Sequence, residues 1–443
     1  MAAKKMKKPK MPASELSRRV ESIVEKGTGI KERVKKIEGL LRSAGAQRQR
    51  VERGDGSEAR DGRAGASEAA MKRLKLWHKA AGIGLVAAFV FYLTTKPTMA
   101  HFDYTHRLAL ALLDGRLGLE DHPSWLNELI PLESGYYTAA YCFGAILSVM
   151  AFIFLSPHLL TVLIAGACVF LFFLLGSGVE ESGSTPRRMM LALFPVFATW
   201  TWTDLGFGGA WQITEGFAML GQAGALYFTL VRPMPIIAGA FFALAFGNRS
   251  ELLLLLPIYL LLTKQYRLHF LIFPVILGLF TAEYNFARFH TPFEFGYGRL
   301  KAMGEPMCQH GLFAAFDIPY NAYHMLFEGF SQINFFPFIR PSPWGCSIFL
   351  ASPFLFLLFR EGGKYRKAAW TAIGLLTAVL LLHCNQGGWQ FSSRYAMALL
   401  PWMFLVLAGN GRLSVTEIAL FAVSVAVNGV ATWLFLWTGQ IHV

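Results

Sequence analysis

Charged residues are scarce in this sequence. Only 16% of its 443 residues are Asp, Glu, Lys or Arg, whereas soluble domains carry roughly 25%. Hydrophobic residues make up 54% of the chain, and the mean hydropathy is +0.42. Several windows exceed the ~18 apolar residues that mark a membrane span. These values exclude an ordinary soluble domain and indicate a polytopic membrane protein.

Cysteines are also few, and the 5 present show no Cys-x-x-Cys or metal-ligand spacing. Cys142 and Cys168 lie in apolar segments, where a thiol behaves as a small core side chain. Cys308 and Cys346 flank one long loop, and the sequence allows them to pair if that loop is extracytoplasmic. We expect no required cofactor, and we assign no metal site, although the sequence allows a divalent metal to bind.

The N-terminal tail has too few apolar residues for the core of a signal peptide. It carries most of the net charge of +13, because residues 1–80 hold 22 of the 41 basic side chains and only 10 of the 28 acidic ones. A basic tail before the first apolar span predicts a cytoplasmic N-terminus that is drawn to anionic membrane lipids. The tail lacks interleaved aromatic residues, so we expect no nucleic-acid partner.

Two domains are predicted. In the tail, residues 1–71, apolar residues on a 4-3 spacing over 14–41 predict an amphipathic helix. This helix is either a coiled-coil or membrane-surface element or a solvated regulatory appendage. Residues 44–68, rich in Gly, Ala, Arg, Glu and Ser, predict a disordered linker. Residues 72–443 predict an all-α, polytopic transmembrane helical bundle with a surface helix in its first outer loop.

The membrane domain contains a series of apolar segments: 79–95, 138–156, 159–176, 189–204, 213–231, 235–247, 251–263, 268–285, 345–359, 368–384, 395–409 and 414–437. Basic residues mark the cytoplasmic loops, which leaves the following loops outside: 96–137, 205–212, 248–250, 286–344 and 385–394. Segments 138–156 and 159–176 lie between an outer loop and an inner anchor, so only one of them crosses. We expect 138–156 to be re-entrant or interfacial, which gives about eleven spans.

Polar residues concentrate in the outer loops. Asp103 stands at the start of the predicted surface helix, with His106 and Arg107 beside it, and a simple helix cap is the alternative role. Asp204 ends an apolar segment, where an aromatic belt with a capping carboxylate is the alternative. Arg249 and Glu251 interrupt two spans, at a depth where ionisable groups face a cavity or pair with each other.

The remaining outer loops add further cations and aromatics, including Arg288, His290, Arg394 and Tyr395. A lipid phosphate requires cations at headgroup level. An acceptor hydroxyl requires a carboxylate base. The outer loops therefore predict chemistry on a lipid-linked substrate at the outer membrane surface.

Four segments resemble the GT-C superfamily of polytopic glycosyltransferases, in the bacterial branch akin to protein O-mannosyltransferases and lipid A aminoarabinose transferases. They are Phe102-Asp103-Tyr104 after the first span; Asn248-Arg249-Ser250-Glu251-Leu252-Leu253, where the family has Arg-Pro-Glu-Leu-Leu; the loop from Asn285 to Tyr297, with His290 in place of a glycine; and Arg394-Tyr395 ahead of Pro401. The likeness covers about 80–430.

The resemblance implies transfer of a sugar from a polyprenyl-phosphate donor to a lipid or glycan acceptor, with inversion, for assembly of the cell envelope. Asp103 would be the general base, and Arg249, Arg288 or Arg394 would hold the phosphate. Substrate contacts would also come from His106, Arg107, Asp204, Glu251, His290 and Tyr395. The implied location is a bacterial cytoplasmic membrane with an extracytoplasmic active site.

Two alternatives from other functional classes stay open. A polytopic transporter or flippase would move a lipid or solute without catalysis. It requires charged or broken helices at the bilayer midplane, and the sequence shows few. A membrane scaffold would leave the polar outer loops without a role.

Overall fold

The computed structural model describes residues 56–300, 308–334, 338–409, 411–439 and 441, together with Lys35 and Gly39; for 56–70 it describes the backbone alone. The chain separates into two units, Met1–Lys75 and Leu76–Val443. Most of the amphipathic helix predicted over 14–41 lies outside the described residues. The linker prediction does not hold for 56–68, which are helical, because Ala, Glu and Arg favour helix.

The described chain is mostly helical. The α-helices are α1 Gly56–Thr94, α2 Tyr104–Leu113, α3 Phe143–Met150, α4 Pro157–Val179, α5 Thr185–Phe197, α6 Thr201–Gly206, α7 Ala210–Leu230, α8 Pro235–Asn248, α9 Leu256–Leu262, α10 Arg267–Phe270, α11 Ile272–Phe289, α12 Ile318–Leu326, α13 Ile348–Ala351, α14 Arg366–Leu382, α15 Leu400–Gly409 and α16 Val415–Leu436. Short 3-10 helices cover Ser250–Leu255, Tyr297–Arg299, Ala315–Asp317, Pro353–Phe359 and Arg394–Leu399.

Two antiparallel strand pairs occur among the described residues. The first joins β1 (Ile130–Pro131) to β2 (Tyr137–Thr138), with Ile130 opposite Thr138. The second joins β3 (Ser331–Gln332) to β4 (Ile339–Arg340), with Ser331 opposite Arg340.

Among the described residues, 4 helices are long and apolar enough to cross a membrane: Met71–Thr94, Pro157–Val179, Arg267–Phe289 and Val415–Leu436. Shorter apolar helices cover Pro235–Asn248, Ser250–Leu262 and Arg394–Gly409. A helix rises about 1.5 Å per residue and the hydrocarbon core is about 30 Å thick, so these are too short to cross as straight helices. By length and composition, fewer described helices can cross a membrane than the roughly eleven that the sequence predicts.

The segment 138–156 contains no described helix long enough to cross a membrane. Its helix, α3, has only 8 residues, about 12 Å at the usual rise. The next helix, α4, begins at Pro157, where Ser156 caps it by accepting a hydrogen bond from the Leu159 backbone at 3.3 Å. The expectation that 159–176 crosses and 138–156 does not therefore agrees with the helix lengths.

The loop 96–137 is folded rather than open. As predicted, a helix with one buried face follows Asp103, and α2 packs its Leu108 and Ala109 into a cluster with Tyr141 and Ile146. Leu119 and Tyr137 exchange two backbone hydrogen bonds of 2.7 and 2.8 Å. A Cβ atom on Gly118 would come within 2.6 Å of the Tyr137 carbonyl oxygen, so this close approach requires glycine.

The disulfide differs from the predicted pairing. Cys308 bonds to Cys384, with their Cα atoms 5.2 Å apart, whereas Cys346 is a buried free thiol that donates to the Phe391 carbonyl. The pairing of Cys308 with Cys346 was therefore wrong. The cause is the local backbone: the chain after Cys308 runs beside the end of α14, where the Cys384 amide donates to the Leu312 carbonyl at 3.0 Å.

Candidate functional site

A cavity of about 790 Å³ lies among the loop 96–137, the start of α7, the break after α8, and the entry to the 3-10 helix Arg394–Leu399. This volume is in the usual range for a small-molecule site. Charged and tyrosine side chains meet on one part of its wall. Another part is apolar, formed by Leu253, Leu254, Phe293, Phe313, Val379, Leu380 and Leu382.

Arg249 reaches the cavity because the chain is extended at this residue, between the end of α8 and the following 3-10 helix. Its Nε donates to Glu251 at 2.7 Å and its Nη1 to Glu215 at 3.4 Å. Its Nη2 bonds to no described group. Arg249 and Glu251 are thus paired, as the sequence allowed, yet one N–H₂ group of the arginine stays available.

Arg394 begins the 3-10 helix Arg394–Leu399 and is held by the turn before it. Its backbone amide donates to Gln390 Oε1 at 3.0 Å. A Cβ atom on Gly387, whose φ is +93°, would lie 2.8 Å from the same oxygen and 3.1 Å from Arg394 Nε. The turn therefore requires glycine at this position.

Tyr395 lies between the two arginines. The Arg249 guanidinium carbon is 4.5 Å and the Arg394 guanidinium carbon 4.9 Å from the centre of its ring. Both distances are within cation–π range. Glu215, buried behind them, has its Oε1 3.4 Å from Arg249 and 3.7 Å from Arg394. The tyrosine and the glutamate together fix the relative placement of two cations.

Glu128 is the carboxylate that the sequence reading missed. It lines the cavity from the loop 96–137, and its Oε2 accepts a 2.9 Å hydrogen bond from Trp211 Nε1. Burial raises the pKa of the Glu128 carboxyl above its ordinary value, against the opposing effects of the Trp211 hydrogen bond and the Arg394 charge. No motif surrounds Glu128 in the sequence, so its position in the cavity wall is evident only from the folded loop.

Four of the predicted site residues line this cavity together: Arg249, Glu251, Arg394 and Tyr395. Asp204 does not line it. Its side chain is fully buried, and its Oδ1 accepts a 2.8 Å hydrogen bond from the Phe391 backbone amide. Asp204 therefore supports the turn that carries Arg394 and makes no contact with the cavity space.

Arg288 is buried beside the cavity, outside its lining. Its Nη1 donates to Thr138 Oγ1 at 3.1 Å and to the Ala139 carbonyl at 3.0 Å, and its Nη2 donates to Asn285 Oδ1 at 2.8 Å. Its guanidinium also stacks on the Tyr284 ring at 3.9 Å. Both Nη atoms of Arg288, which the resemblance assigned to a phosphate, thus bond to protein groups.

The remaining predicted residues also lie outside the cavity lining. Asp103 Oδ1 accepts from Arg107 Nε at 2.7 Å and makes no side-chain capping bond to α2. His106, half-buried on the same helix, is not in the lining. His290 is exposed, with its Nε2 3.3 Å from Glu133. The role of Asp103 as base and the substrate contacts of the other three residues stay predictions, since none of the four side chains lines the cavity.

Within the described residues, no group of three or more His, Cys, Asp or Glu side chains is arranged to hold a metal ion. No protein-family model, curated protein or solved structure matches the chain.

Proposed function

We propose that this chain is a membrane glycosyltransferase that moves a sugar from a polyprenyl phosphate to a lipid or glycan acceptor, for assembly of the cell envelope. The composition of the cavity carries the proposal: Arg249 and Arg394 share one space with an apolar wall. A polyprenyl-phosphate sugar has the same division, because an anionic phosphodiester joins its sugar to a hydrocarbon chain. Arginine is well suited to phosphate oxygens.

The chemistry asks for cations at the leaving group. The acceptor oxygen bonds to the anomeric carbon from the side opposite the phosphate, and the bond between that carbon and the phosphate oxygen breaks. The electron pair leaves with the lipid phosphate, whose negative charge grows. Arg249 Nη2 and Arg394 Nη1, which bond to no described group, are the donors that would stabilise this charge.

The proposed location is the extracytoplasmic face of a bacterial cytoplasmic membrane, with the N-terminus in the cytoplasm and about eleven spans in total. The basic loops support this orientation. The disulfide between Cys308 and Cys384 supports it further, because disulfides persist in oxidising compartments. A membrane-impermeant thiol reagent applied to intact cells tests it, after single cysteines are placed in 286–300 of a cysteine-free chain.

The phosphate site is tested by binding of polyprenyl phosphate to the purified protein in nanodiscs. We expect Arg394→Ala and Arg249→Ala each to weaken binding about tenfold or more, because each removes a charged donor to the phosphate. Arg340→Ala, an exposed arginine of β4 outside the cavity, serves as the matched control. A polyprenyl alcohol, which lacks the phosphate, should bind equally to all four proteins. Equal phosphate binding by wild type and both cavity variants would contradict the proposal.

The transporter alternative makes a different prediction for turnover. A glycosyltransferase releases polyprenyl phosphate from a labelled polyprenyl-phosphate sugar when an acceptor extract is present. A flippase moves the intact lipid across a proteoliposome membrane and releases none. Lipid translocation without release would favour the transporter.

A further inference from the structure

The carboxylates that line the cavity differ in how many of their hydrogen-bond acceptor sites already have a partner in the protein. Glu251 is paired with Arg249 at 2.7 Å. Glu294 uses Oε1 to accept from the Gly296 amide at 2.7 Å, and its Oε2 lies 3.9 Å from Arg299. Glu128 is the exception, because its one side-chain partner is the neutral indole N–H of Trp211 and its Oε1 accepts from no described residue.

The indole of Trp211 places this carboxylate next to the proposed phosphate site. Its N–H is bonded to Glu128, while the Arg394 guanidinium lies 5.7 Å from the centre of its ring. A phosphate held by Arg394 and a hydroxyl held by Glu128 would therefore lie next to the same rigid side chain, one at its ring and the other at its N–H edge. Transfer from a phosphate to a hydroxyl requires that both groups are held in one site.

The stretch around Asp103 holds Glu128 and Trp211 in place. Tyr104 Oη accepts from the Glu128 amide at 3.2 Å and donates to Asn127 Oδ1 at 3.1 Å. The Phe102 carbonyl accepts from the Ala210 amide at 3.0 Å, and the Phe102 ring lies 5.1 Å from the Trp211 ring. The residues on both sides of Asp103 thus fix the loop and the indole, while Asp103 itself is bonded to Arg107.

We infer that Glu128, rather than Asp103, is the general base of the transfer, an inference that rests on the proposed glycosyltransferase function. Glu128 Oε1 takes the proton of the acceptor hydroxyl as the acceptor oxygen bonds to the anomeric carbon. The bond from that carbon to the phosphate oxygen breaks, and its electron pair leaves with the lipid phosphate. Tyr104 and Trp211 are positioning residues for this base. Burial, which raises the pKa of the Glu128 carboxyl, suits it to accept a proton.

The experiment compares Glu128→Gln with wild type in two assays on the full chain in nanodiscs. The first is binding of polyprenyl phosphate, which we expect to stay within about twofold of wild type, so that the variant is shown to be folded. The second is release of polyprenyl phosphate from a labelled polyprenyl-phosphate sugar, which we expect to fall by about 10²- to 10⁴-fold, the usual contribution of a general base. Glu120→Gln, an exposed carboxylate of the same loop outside the cavity lining, is the matched control.

Three outcomes decide the matter. Turnover that survives in Glu128→Gln overturns this inference alone. If Asp103→Asn loses turnover and Glu128→Gln keeps it, the base is Asp103, and the inference about Glu128 is overturned. Wild-type protein that binds the lipid phosphate but turns over no polyprenyl-phosphate sugar overturns the glycosyltransferase proposal and this inference with it.

Discussion

At the scale of single residues, Trp211 joins the two parts of the candidate site. Its indole N–H satisfies one oxygen of Glu128, and its ring face lies towards the Arg394 guanidinium. The tryptophan therefore contacts the carboxylate through its N–H and the cation through its ring. Glu128 Oε1 and Arg394 Nη1 bond to no described group, so both are available to a substrate.

The pH dependence of turnover follows from the pKa of Glu128. A base acts only when deprotonated, and burial raises the pKa of this carboxyl. We therefore expect kcat/KM to be low at acidic pH and to rise with pH through a limb that lies above the ordinary Glu value of about 4.3. Initial-rate measurements across pH 4 to 8 check this (about one value every half unit).

In Glu128→Gln the same acid limb should disappear from the residual activity, because glutamine does not titrate. Glu120→Gln should retain the limb. An unchanged limb in Glu128→Gln would assign it to another group.

The sequence revealed the arginines of the site but not its full set of acidic side chains. Arg249 stood out because a cation between two apolar segments requires a partner or a cavity. Arg394 stood out as a loop cation in the Arg-Tyr segment that resembles the GT-C superfamily. Glu128 lies in an ordinary loop stretch, and its place depends on tertiary contacts with Tyr104 and Trp211. Asp103 stood out by its position after the first apolar span, and its role as base stays a prediction.

At the scale of elements, the two cavity arginines have the same local construction. Each stands at the start of a 3-10 helix, Ser250–Leu255 or Arg394–Leu399, that continues into a short α-helix. Pro257 and Pro401 are the second residues of those α-helices, where a missing N–H is tolerated. The start of each 3-10 helix thus brings an arginine side chain to the cavity wall.

Asp204 provides a test of how the turn before Arg394 is held. In Asp204→Ala the Phe391 amide loses its acceptor, and leaving a buried N–H without one costs about 1–3 kcal/mol. We expect weaker binding of polyprenyl phosphate, because the turn that carries Arg394 loosens. Asp204→Asn keeps an acceptor oxygen at this position and should restore binding towards the wild-type value.

Titration of each variant with polyprenyl phosphate gives the measurement. Equal binding by Asp204→Ala and wild type would show that the turn does not depend on this carboxylate.

Apolar segments in the sequence marked where helices occur but not how long they are. Segment 251–263 is a 3-10 helix followed by a 7-residue α-helix. Its hydropathy alone does not distinguish it from a continuous span, because the leucines are apolar in either conformation. The break lies at Arg249, whose backbone is extended and whose side chain bonds to Glu215 on α7. Glu215 lies 34 residues before Arg249 in the chain.

At the scale of the whole molecule, a buried charge cluster connects helices away from the cavity. The Arg187 guanidinium donates to Glu180 at 3.0 Å and to Glu417 at 3.0 Å, and also to the carbonyls of Leu407 and Ala408. It thereby ties the end of α4 and the start of α5 to α15 and α16. Arg187 is one of the basic residues from which the cytoplasmic loops were predicted, yet its side chain is fully buried.

Removing Arg187 should destabilise the membrane domain. Arg187→Ala leaves two buried carboxylates without their cation, and breaking such a pair costs about 3–5 kcal/mol. We expect the Tm in detergent to fall by several degrees. Arg232→Ala, which removes an exposed arginine, should leave the Tm nearly unchanged. A similar Tm for the two variants would show that the cluster contributes little to stability.

The bond between Cys308 and Cys384 has a consequence for biogenesis. It joins the chain that carries Leu312 and Phe313, both in the cavity wall, to the end of α14, and the two cysteines are 76 residues apart. With the proposed orientation, the wall is secured only after both thiols have crossed the membrane and met an oxidant. A newly inserted chain would then be immature until that moment, so the cellular machinery that oxidises thiols would set when the protein first becomes competent.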